Sequence, residues 1–87
     1  MIKVFLPYKI CKILNVPSEI EAEGTSLRSL IDIIDRMYPG VKNHLVEDDK
    51  LKPAMSAVID GKTTRLGLIH KLENVSEIHF LPSIAGG

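Results

Sequence analysis

The sequence predicts a single α+β domain in which one amphipathic helix covers a mixed β-sheet. The chain has 87 residues, of which 45% are hydrophobic and 25% are charged, so it can bury one modest core but not two. Apolar and polar residues alternate towards both ends of the chain, as they do in strands. Between those segments, apolar residues recur at helical spacing, which predicts the covering helix.

The first strand is predicted at residues 2–6, and Pro7 ends it because proline has no backbone N–H for the β-ladder. The aliphatic residues of this strand alternate and share one face: Ile2, Val4 and Leu6. A second strand is predicted within residues 13–22. Its apolar residues also share one face: Val16, Ile20 and Ala22. Pro17 favours an edge position or a bulge for this strand.

A helix is predicted after Gly24, which breaks the second strand. Thr25 or Ser26 supplies a side-chain oxygen for its N-cap, and Pro39-Gly40 ends it. Its apolar residues repeat every three or four positions: Leu27, Leu30, Ile31, Ile34, Met37 and Tyr38. Charged residues on its other face are spaced four apart: Arg28, Asp32 and Arg36. This spacing predicts solvated i,i+4 ion pairs and not a catalytic carboxylate cluster.

Residues 41–51 are predicted to form a polar connector with one helical turn. Their acidic run, Glu47-Asp48-Asp49, is interpreted as a solvated loop because it lacks the geometry of a metal site. Strand character returns at residues 54–59. Asp60-Gly61 then predicts a type I′ hairpin turn into residues 62–66.

A loop over residues 67–76 leads to the last predicted strand at residues 77–81. Ile78 and Phe80 should point to one face of it and His79 to the other, and Pro82 closes it. The order of elements is therefore β, β, α, β, β, β, which fits a β-grasp arrangement. With a right-handed crossover, the last strand lies beside the first in the interior of the sheet.

Composition excludes several classes of function. Eleven basic and eleven acidic residues cancel, so no chain-wide field attracts nucleic acid or an anionic membrane. Cys11 is the only cysteine, which excludes an internal disulfide and fits a reducing compartment, so we expect a cytoplasmic protein. Pro7 interrupts the first apolar run before signal-peptide length, and no run approaches the length of a membrane span.

Familiar catalytic motifs are missing from the sequence. The three histidines lie at unrelated spacings: His44, His70 and His79. They predict no metal site. Gly61 and Gly67 do not open a helix, so no phosphate-binding loop is predicted. Cys11 has no neighbouring histidine or carboxylate motif and is interpreted as a packed residue. We therefore expect no bound cofactor.

The C-terminal sequence is the main indication of function. After the last strand the chain reads Pro82-Ser83-Ile84-Ala85-Gly86-Gly87. Two glycines leave the backbone free to thread a narrow channel, and no Cβ obstructs a protein that approaches the terminal carboxylate. Because glycine makes up about 7% of residues, chance places two at the end of only about 0.5% of chains. We divide the chain into a domain at residues 1–82 and a flexible tail at residues 83–87.

Three motifs together carry a resemblance that covers essentially the whole chain. They are Tyr38-Pro39-Gly40 after the helix, Ile59-Asp60-Gly61-Lys62 at the hairpin, and Phe80-Leu81-Pro82-Ser83-Ile84-Ala85-Gly86-Gly87 at the end. The chain resembles the ubiquitin-like sulfur carriers, the family of the molybdopterin synthase small subunit and the thiamine-pathway sulfur carrier. The ending is the specific part, because many folds share the helix and the hairpin. One departure is that residues 73–77 replace the Asp-Gly-Asp-like turn that family members often have.

The resemblance implies a ubiquitin-like β-grasp fold and a tail that reacts inside partner enzymes. A ubiquitin-activating-like adenylyltransferase would use ATP to adenylate Gly87, and sulfide or a persulfide would replace AMP to give a thiocarboxylate. A sulfur-accepting synthase would then receive the sulfur. The resemblance also implies that the residues before Gly87 bind the partner enzymes: Pro82, Ser83, Ile84, Ala85 and Gly86. The chain would thus be a protein co-substrate and not an enzyme, or the small subunit of a synthase complex.

The resemblance leaves the sulfur acceptor open. Residues 81–87 differ from the usual molybdopterin ending, Phe-Phe-Pro-Pro-Val-Ala-Gly-Gly. Like residues 4–7, they are more similar to carriers that serve the synthesis of cysteine or specialised sulfur metabolites. Residues 8–12 lack the threonine and arginine usual in that group, so these pathways are only slightly favoured over molybdopterin synthesis. Two other functions stay open: a modifier conjugated to other proteins through Gly87, and an interaction module with an inert tail.

Overall fold

The computed structural model describes residues 1–83. Its elements are β1 (Ile2–Phe5), α1 (Tyr8–Leu14), β2 (Glu19–Ala22), α2 (Leu27–Met37), α3 (Val41–Leu45), β3 (Val46–Glu47), β4 (Lys50–Leu51), β5 (Met55–Ile59), β6 (Lys62–Thr63) and β7 (Glu77–Pro82). A 3-10 turn, Gly67–Ile69, precedes β7. One mixed sheet has the strand order β2-β1-β7-β5-β6, and β3 pairs with β4 in a separate hairpin. The helices cover one face of the mixed sheet.

The last strand lies beside the first in the interior of the sheet, as predicted. β7 runs parallel to β1, with Ile78 beside Val4, and antiparallel to β5, with Phe80 opposite Ala57. All four of these residues are fully buried. β7 is therefore paired along both edges and is anchored on one face by the core.

α2 buries most of the face that its periodicity predicts, but Met37 at its last position is 47% exposed. Ser26 caps the helix: its hydroxyl accepts a hydrogen bond from the Ser29 N–H at 3.2 Å, and the Ser29 hydroxyl accepts one from the Ser26 N–H at 3.0 Å. This reciprocal capping box satisfies two N–H groups that the first turn leaves free. Four aliphatic residues of the helix are at most 1% exposed: Leu27, Leu30, Ile31 and Ile34.

The strand predicted at residues 13–22 is wrong in its first part, because α1 occupies residues up to Leu14. Pro7 precedes this helix in an extended conformation, and Asn15 ends it in the left-handed region with φ of 56°. Leu6 and Ile10 lie four positions apart and are both buried. A helix of seven residues shows barely two periods, so its pattern is hard to distinguish from alternation.

Residues 41–51 contain more regular structure than predicted. α3 is followed directly by the β3–β4 hairpin, whose turn is Asp48-Asp49. Both aspartates have positive φ, 53° and 61°, as a type I′ turn requires. Aspartate tolerates this conformation better than most residues. The acidic run is indeed exposed, but it forms a hairpin end and not an irregular loop.

The ion pairs predicted along α2 are also wrong. Arg28 pairs with Asp49, and Asp32 accepts a hydrogen bond from the Lys42 ammonium at 2.7 Å. The helix charges therefore connect α2 to α3 and to the β3–β4 hairpin. All four side chains are well exposed, so these pairs orient the segment more than they stabilise it.

The hairpin turn at Asp60-Gly61 is confirmed, with φ of 47° and 85°. Its aspartate also reaches across to the start of β7. The Asp60 carboxylate accepts hydrogen bonds from the N–H groups of Ser76, at 3.1 Å, and Glu77, at 2.9 Å. These bonds hold the strand that leads to the tail, at the place where the chain lacks an Asp-Gly-Asp-like turn.

Candidate functional site

The end of β7 determines where the tail begins. Pro82 pairs with Met55, and the Ser83 N–H donates a hydrogen bond to the Ala54 carbonyl at 2.7 Å. Pro82 is exposed and Ser83 is half-buried. Of the residues predicted as the site, these two lie at the end of the central strand. The others lie outside the described residues: Ile84, Ala85, Gly86 and Gly87.

Burial of β7 gives this exit point a fixed position. Ile78 and Phe80 are fully buried, and the strand hydrogen-bonds to neighbours on both sides. Pairing with β1 ends at His79, and from Phe80 onwards the strand is held by β5, as far as the hydrogen bond of Ser83 to Ala54. The start of the tail is therefore pre-organised with respect to the surrounding surface.

An aromatic pair lies on the outer face of the sheet, opposite the core. Phe5 and His79 are neighbours on β1 and β7, and their ring centroids are 4.3 Å apart. Val58 flanks His79 on β5, and Leu81 lies two residues further along β7 towards the tail. We call the surface formed by Phe5, Val58, His79 and Leu81 the sheet-face patch.

Charged side chains border the sheet-face patch. Glu19 is opposite Phe5 on β2, and Lys3 lies between Glu21 and Glu77 on neighbouring strands. The Glu77 carboxylate also lies 3.3 Å from Nε2 of His79, and it forms an ion pair when that imidazole is protonated. An apolar centre with a charged border is the usual anatomy of a protein–protein interface.

The other titratable residues occupy structural positions. Nδ1 of His70 lies 2.7 Å from the Thr64 hydroxyl. Cys11 is half-buried, with Sγ 3.6 Å from the Pro17 carbonyl, and burial raises the pKa of its thiol. A raised pKa lowers the thiolate fraction at neutral pH, which fits a packed residue and not a nucleophile.

No group of three or more metal-binding side chains occurs within residues 1–83. Over the same residues, no helix is both long enough and apolar enough to cross a membrane.

The residues that form the sheet-face patch were not identified from the sequence, although a signal for them exists. Phe5 follows the core-facing Val4, and His79 and Leu81 alternate with Ile78 and Phe80. Once β1 is placed beside β7, this alternation brings the outward-facing aromatic residues together. The pattern alone does not give the register that makes Phe5 the neighbour of His79.

No protein-family model matches the chain, and no curated protein matches it significantly. Solved structures match it over nearly its whole length. One is CysO of Amycolatopsis orientalis, from a crystal structure of the BexX/CysO complex, with 24% identity, a TM-score of 0.87 and complete coverage of both chains. Another is CysO of Mycobacterium tuberculosis, described as an antigen, with 18% identity, a TM-score of 0.86 and coverage of 97% of this chain and 100% of that one.

A third match is the small archaeal modifier protein 1, SAMP1, of Methanosarcina acetivorans, solved in solution. It is 23% identical, with a TM-score of 0.77 and coverage of 99% of this chain and 95% of that one. The chain has the ubiquitin-like β-grasp fold. The predicted mixed sheet with one main helix is thereby confirmed. The similarity to the CysO and SAMP1 structures is a similarity of fold.

Proposed function

We propose that this chain is a ubiquitin-like sulfur carrier that acts in the cytoplasm. A partner enzyme adenylates the carboxylate of Gly87, which is then converted to a thiocarboxylate that donates sulfur in biosynthesis. The observation that carries this proposal is the di-glycine sequence, which follows the central strand β7 after three residues of the chain. In this proposal, residues 1–82 are the domain that partners recognise, and residues 83–87 are the reactive arm.

The proposed chemistry balances without an oxidant or a reductant. A carboxylate oxygen of Gly87 attacks the α-phosphorus of ATP in the partner enzyme, and pyrophosphate leaves. Sulfide then attacks the acyl carbon, the bond from that carbon to the AMP oxygen breaks, and AMP leaves. The product sulfur is a softer and stronger nucleophile than a carboxylate oxygen, so it can attack an electrophilic substrate.

The sheet-face patch supports this proposal because it lies beside the point where the tail begins. A partner surface that covers Phe5, His79 and Leu81 is held next to Ser83. Because Ser83 is hydrogen-bonded to Ala54, docking on the patch also sets the direction of approach to the residues that follow. We propose that residues 82–86 bind in an extended, strand-like manner in the channels of both the adenylyltransferase and the synthase.

For the sulfur acceptor, we favour an enzyme of cysteine or specialised sulfur-metabolite synthesis over molybdopterin synthase. The ending Pro82-Ser83-Ile84-Ala85 supports this choice, since it departs from the Pro-Pro-Val-Ala of the molybdopterin carriers. Similarity to two CysO structures agrees with it. One of those proteins was crystallised in a complex with BexX, so a protein of this shape does bind a protein partner.

The second candidate function is protein modification, favoured by the similarity to a small archaeal modifier protein. Both functions begin with an acyl-adenylate at Gly87. They diverge at the nucleophile: sulfide gives a thiocarboxylate, whereas a lysine amine of another protein gives an isopeptide bond. An interaction module with an inert tail would form neither product.

Intact-mass spectrometry separates these three functions. The full chain is incubated with its native activating enzyme, ATP and sulfide, and a parallel reaction omits ATP. A carrier gains the mass difference between sulfur and oxygen in the complete reaction only. Covalent adducts with other proteins, without that gain, would favour the modifier. An unchanged mass despite an active enzyme would overturn both reactive-tail functions.

A further inference from the structure

A second exposed apolar surface lies on the helix-covered side of the sheet. Leu66 and Ile69 are 59% and 69% exposed, among the most exposed aliphatic side chains of residues 1–83. Leu66 caps the start of the 3-10 turn and Ile69 is its last residue, and residues three positions apart in such a turn lie above one another. The two side chains therefore protrude side by side.

The turn holds this apolar pair in a fixed position. Leu68, between the two residues, is buried in the core. Oγ1 of Thr64 accepts a hydrogen bond from the Leu66 N–H at 3.1 Å and lies 2.7 Å from Nδ1 of His70. The His70 carbonyl in turn accepts a hydrogen bond from the Leu27 N–H at 2.9 Å. A surface that is already ordered loses little conformational entropy on binding.

Two depressions meet at the turn. One, of about 600 Å³, opens beside the first turn of α2, and the other, of about 450 Å³, opens towards the β3–β4 hairpin. They share three lining residues, so they form one continuous surface. We call this surface the α2 groove and define it by Arg28, Arg65, Leu66, Leu68, Ile69 and Lys71.

Basic side chains dominate the border of the α2 groove. Arg65 and Lys71 flank the apolar pair in sequence, and neither forms an ion pair with any residue that the structure describes. Arg28 is neutralised by Asp49, which leaves Lys50 as a further cation and Glu73 as the opposing carboxylate. The groove therefore has a net positive charge around an apolar centre.

The part of the α2 groove around Lys71 lies at the end of the sheet away from the tail. The Thr25 carbonyl accepts a hydrogen bond from the Leu72 N–H at 3.0 Å, which places this segment beside the start of α2. Thr25 follows β2, where Ala22 pairs with Ile2 at the start of β1. Pro82 lies beyond the opposite end of β1, because β7 runs parallel to it. The part around Arg65 lies nearer to the tail, because the Thr64 N–H donates a hydrogen bond to the Ala57 carbonyl, opposite Phe80.

We propose that the α2 groove docks a partner protein through an amphipathic helix that carries acidic residues. Aliphatic side chains spaced three or four positions apart on that helix pack against Leu66 and Ile69, and carboxylates beside them pair with Arg65 and Lys71. The carboxylates of Asp49 and Glu73, and the small number of protruding aliphatic side chains, favour such a helix over an anionic membrane. This interaction goes beyond sulfur transfer, because it makes no use of the tail.

A designed helical peptide tests this proposal with the full chain. The probe carries leucines on one face and glutamates beside them, and the control peptide has lysines in place of the glutamates. Nuclear magnetic resonance of the isotope-labelled chain should show shifts at residues 65–72. We expect the acidic peptide to bind at least about tenfold more tightly than the basic one, with the difference decreasing at high salt.

Matched variants connect the binding to the groove. The double variant L66S/I69S should bind the acidic peptide about tenfold more weakly, or weaker still. The control is I13S, at an isoleucine of α1 that is 61% exposed, and it should leave the affinity for the acidic peptide unchanged. R65E with K71E should reverse the preference between the two peptides. Equal binding of both peptides, shifts confined to the sheet-face patch, or stronger binding to phosphatidylserine vesicles than to the acidic peptide would overturn the proposal.

Discussion

The imidazole of His79 stacks on the phenyl ring of Phe5, with ring centroids 4.3 Å apart and ring planes 10° apart. The contact joins the first and last strands on the face opposite the core. It therefore gives the outer face a fixed aromatic centre two residues from Leu81.

We predict that L81S weakens recognition by the activating enzyme without destabilising the fold. Leu81 is 46% exposed, and surface substitutions usually change the free energy of unfolding by less than about 0.5 kcal/mol. The KM for the chain in ATP-dependent adenylation should rise about tenfold, because an apolar anchor of the docking surface is lost. Steady-state adenylation kinetics at varied concentrations of the chain measure this effect.

M37S is the matched control for L81S. Met37 is 47% exposed but lies at the end of α2, on the other side of the molecule. The KM for the M37S chain in adenylation should equal that of the parent. An equal loss in both variants, or none in L81S, would remove the sheet-face patch from the account of docking.

Truncation of the buried face of α2 should destabilise the domain strongly. Leu30 and Ile34 are fully buried, so L30A or I34A should each lower the free energy of unfolding by about 2 to 5 kcal/mol. M37A changes the same helix at an exposed position and should cost far less. Denaturant unfolding measures all three. A midpoint for L30A that matches the parent would contradict the packing of the helix on the sheet.

The carboxylate of Asp60 should contribute through its bonds to the start of β7. D60G keeps the positive φ accessible but loses the hydrogen-bond acceptor, so it should lower the free energy of unfolding by about 1 to 2 kcal/mol. D60N keeps an amide oxygen and tolerates the same φ, so it should lie closer to the parent. Hydrogen exchange at the N–H groups of Ser76 and Glu77 should accelerate in D60G. Unchanged exchange there would show that these bonds do not hold the strand.

The pairing of Arg28 with Asp49 predicts a specific pH dependence. Hydrogen bonding and attraction from Arg28 lower the pKa of the Asp49 carboxyl from its ordinary value. A lowered pKa in the folded state means that the pair stabilises the fold above about pH 4, and that this contribution is lost as the pH falls through the lower, folded pKa.

Titration of the Asp49 carboxyl carbon by nuclear magnetic resonance checks the direction of this shift. R28Q should return the pKa towards its ordinary value, and so should added salt, because both groups are exposed. If the Asp49 carboxyl of R28Q titrates at as low a pH as in the parent, the shift has another cause.

Elements with long periodic patterns or strong turn signals were predictable from the sequence. α2 repeats its apolar residues over three turns, and Asp60-Gly61 is a specific hairpin signal. α1 was missed because its seven residues show too few periods to identify a helix, and its last two residues were included in the second predicted strand. The Asp48-Asp49 turn was missed because its positive φ values occur without a glycine.

The candidate site divides in the same way. The end that we propose as reactive is a local sequence feature, so the di-glycine sequence could be identified without any structure. The sheet-face patch depends on register between strands that are more than seventy residues apart, and the pattern of one strand does not determine it. The pairing of Arg28 with Asp49 is likewise a contact between distant segments, which replaced the local pairs expected on the helix.

The most direct test of the account compares adenylation by the native activating enzyme for the parent, a deletion of Gly87, and G86L, alongside thermal unfolding. The deletion moves the carboxylate back by up to about 3.3 to 3.6 Å. G86L adds a side chain where the backbone is expected to enter a narrow channel. Misplacement by about 1 Å can cost about a hundredfold in rate, so both variants should unfold like the parent and lose adenylation at least to that extent. Variants that unfold like the parent and are adenylated at its rate would contradict the claim that the di-glycine end is the reactive site.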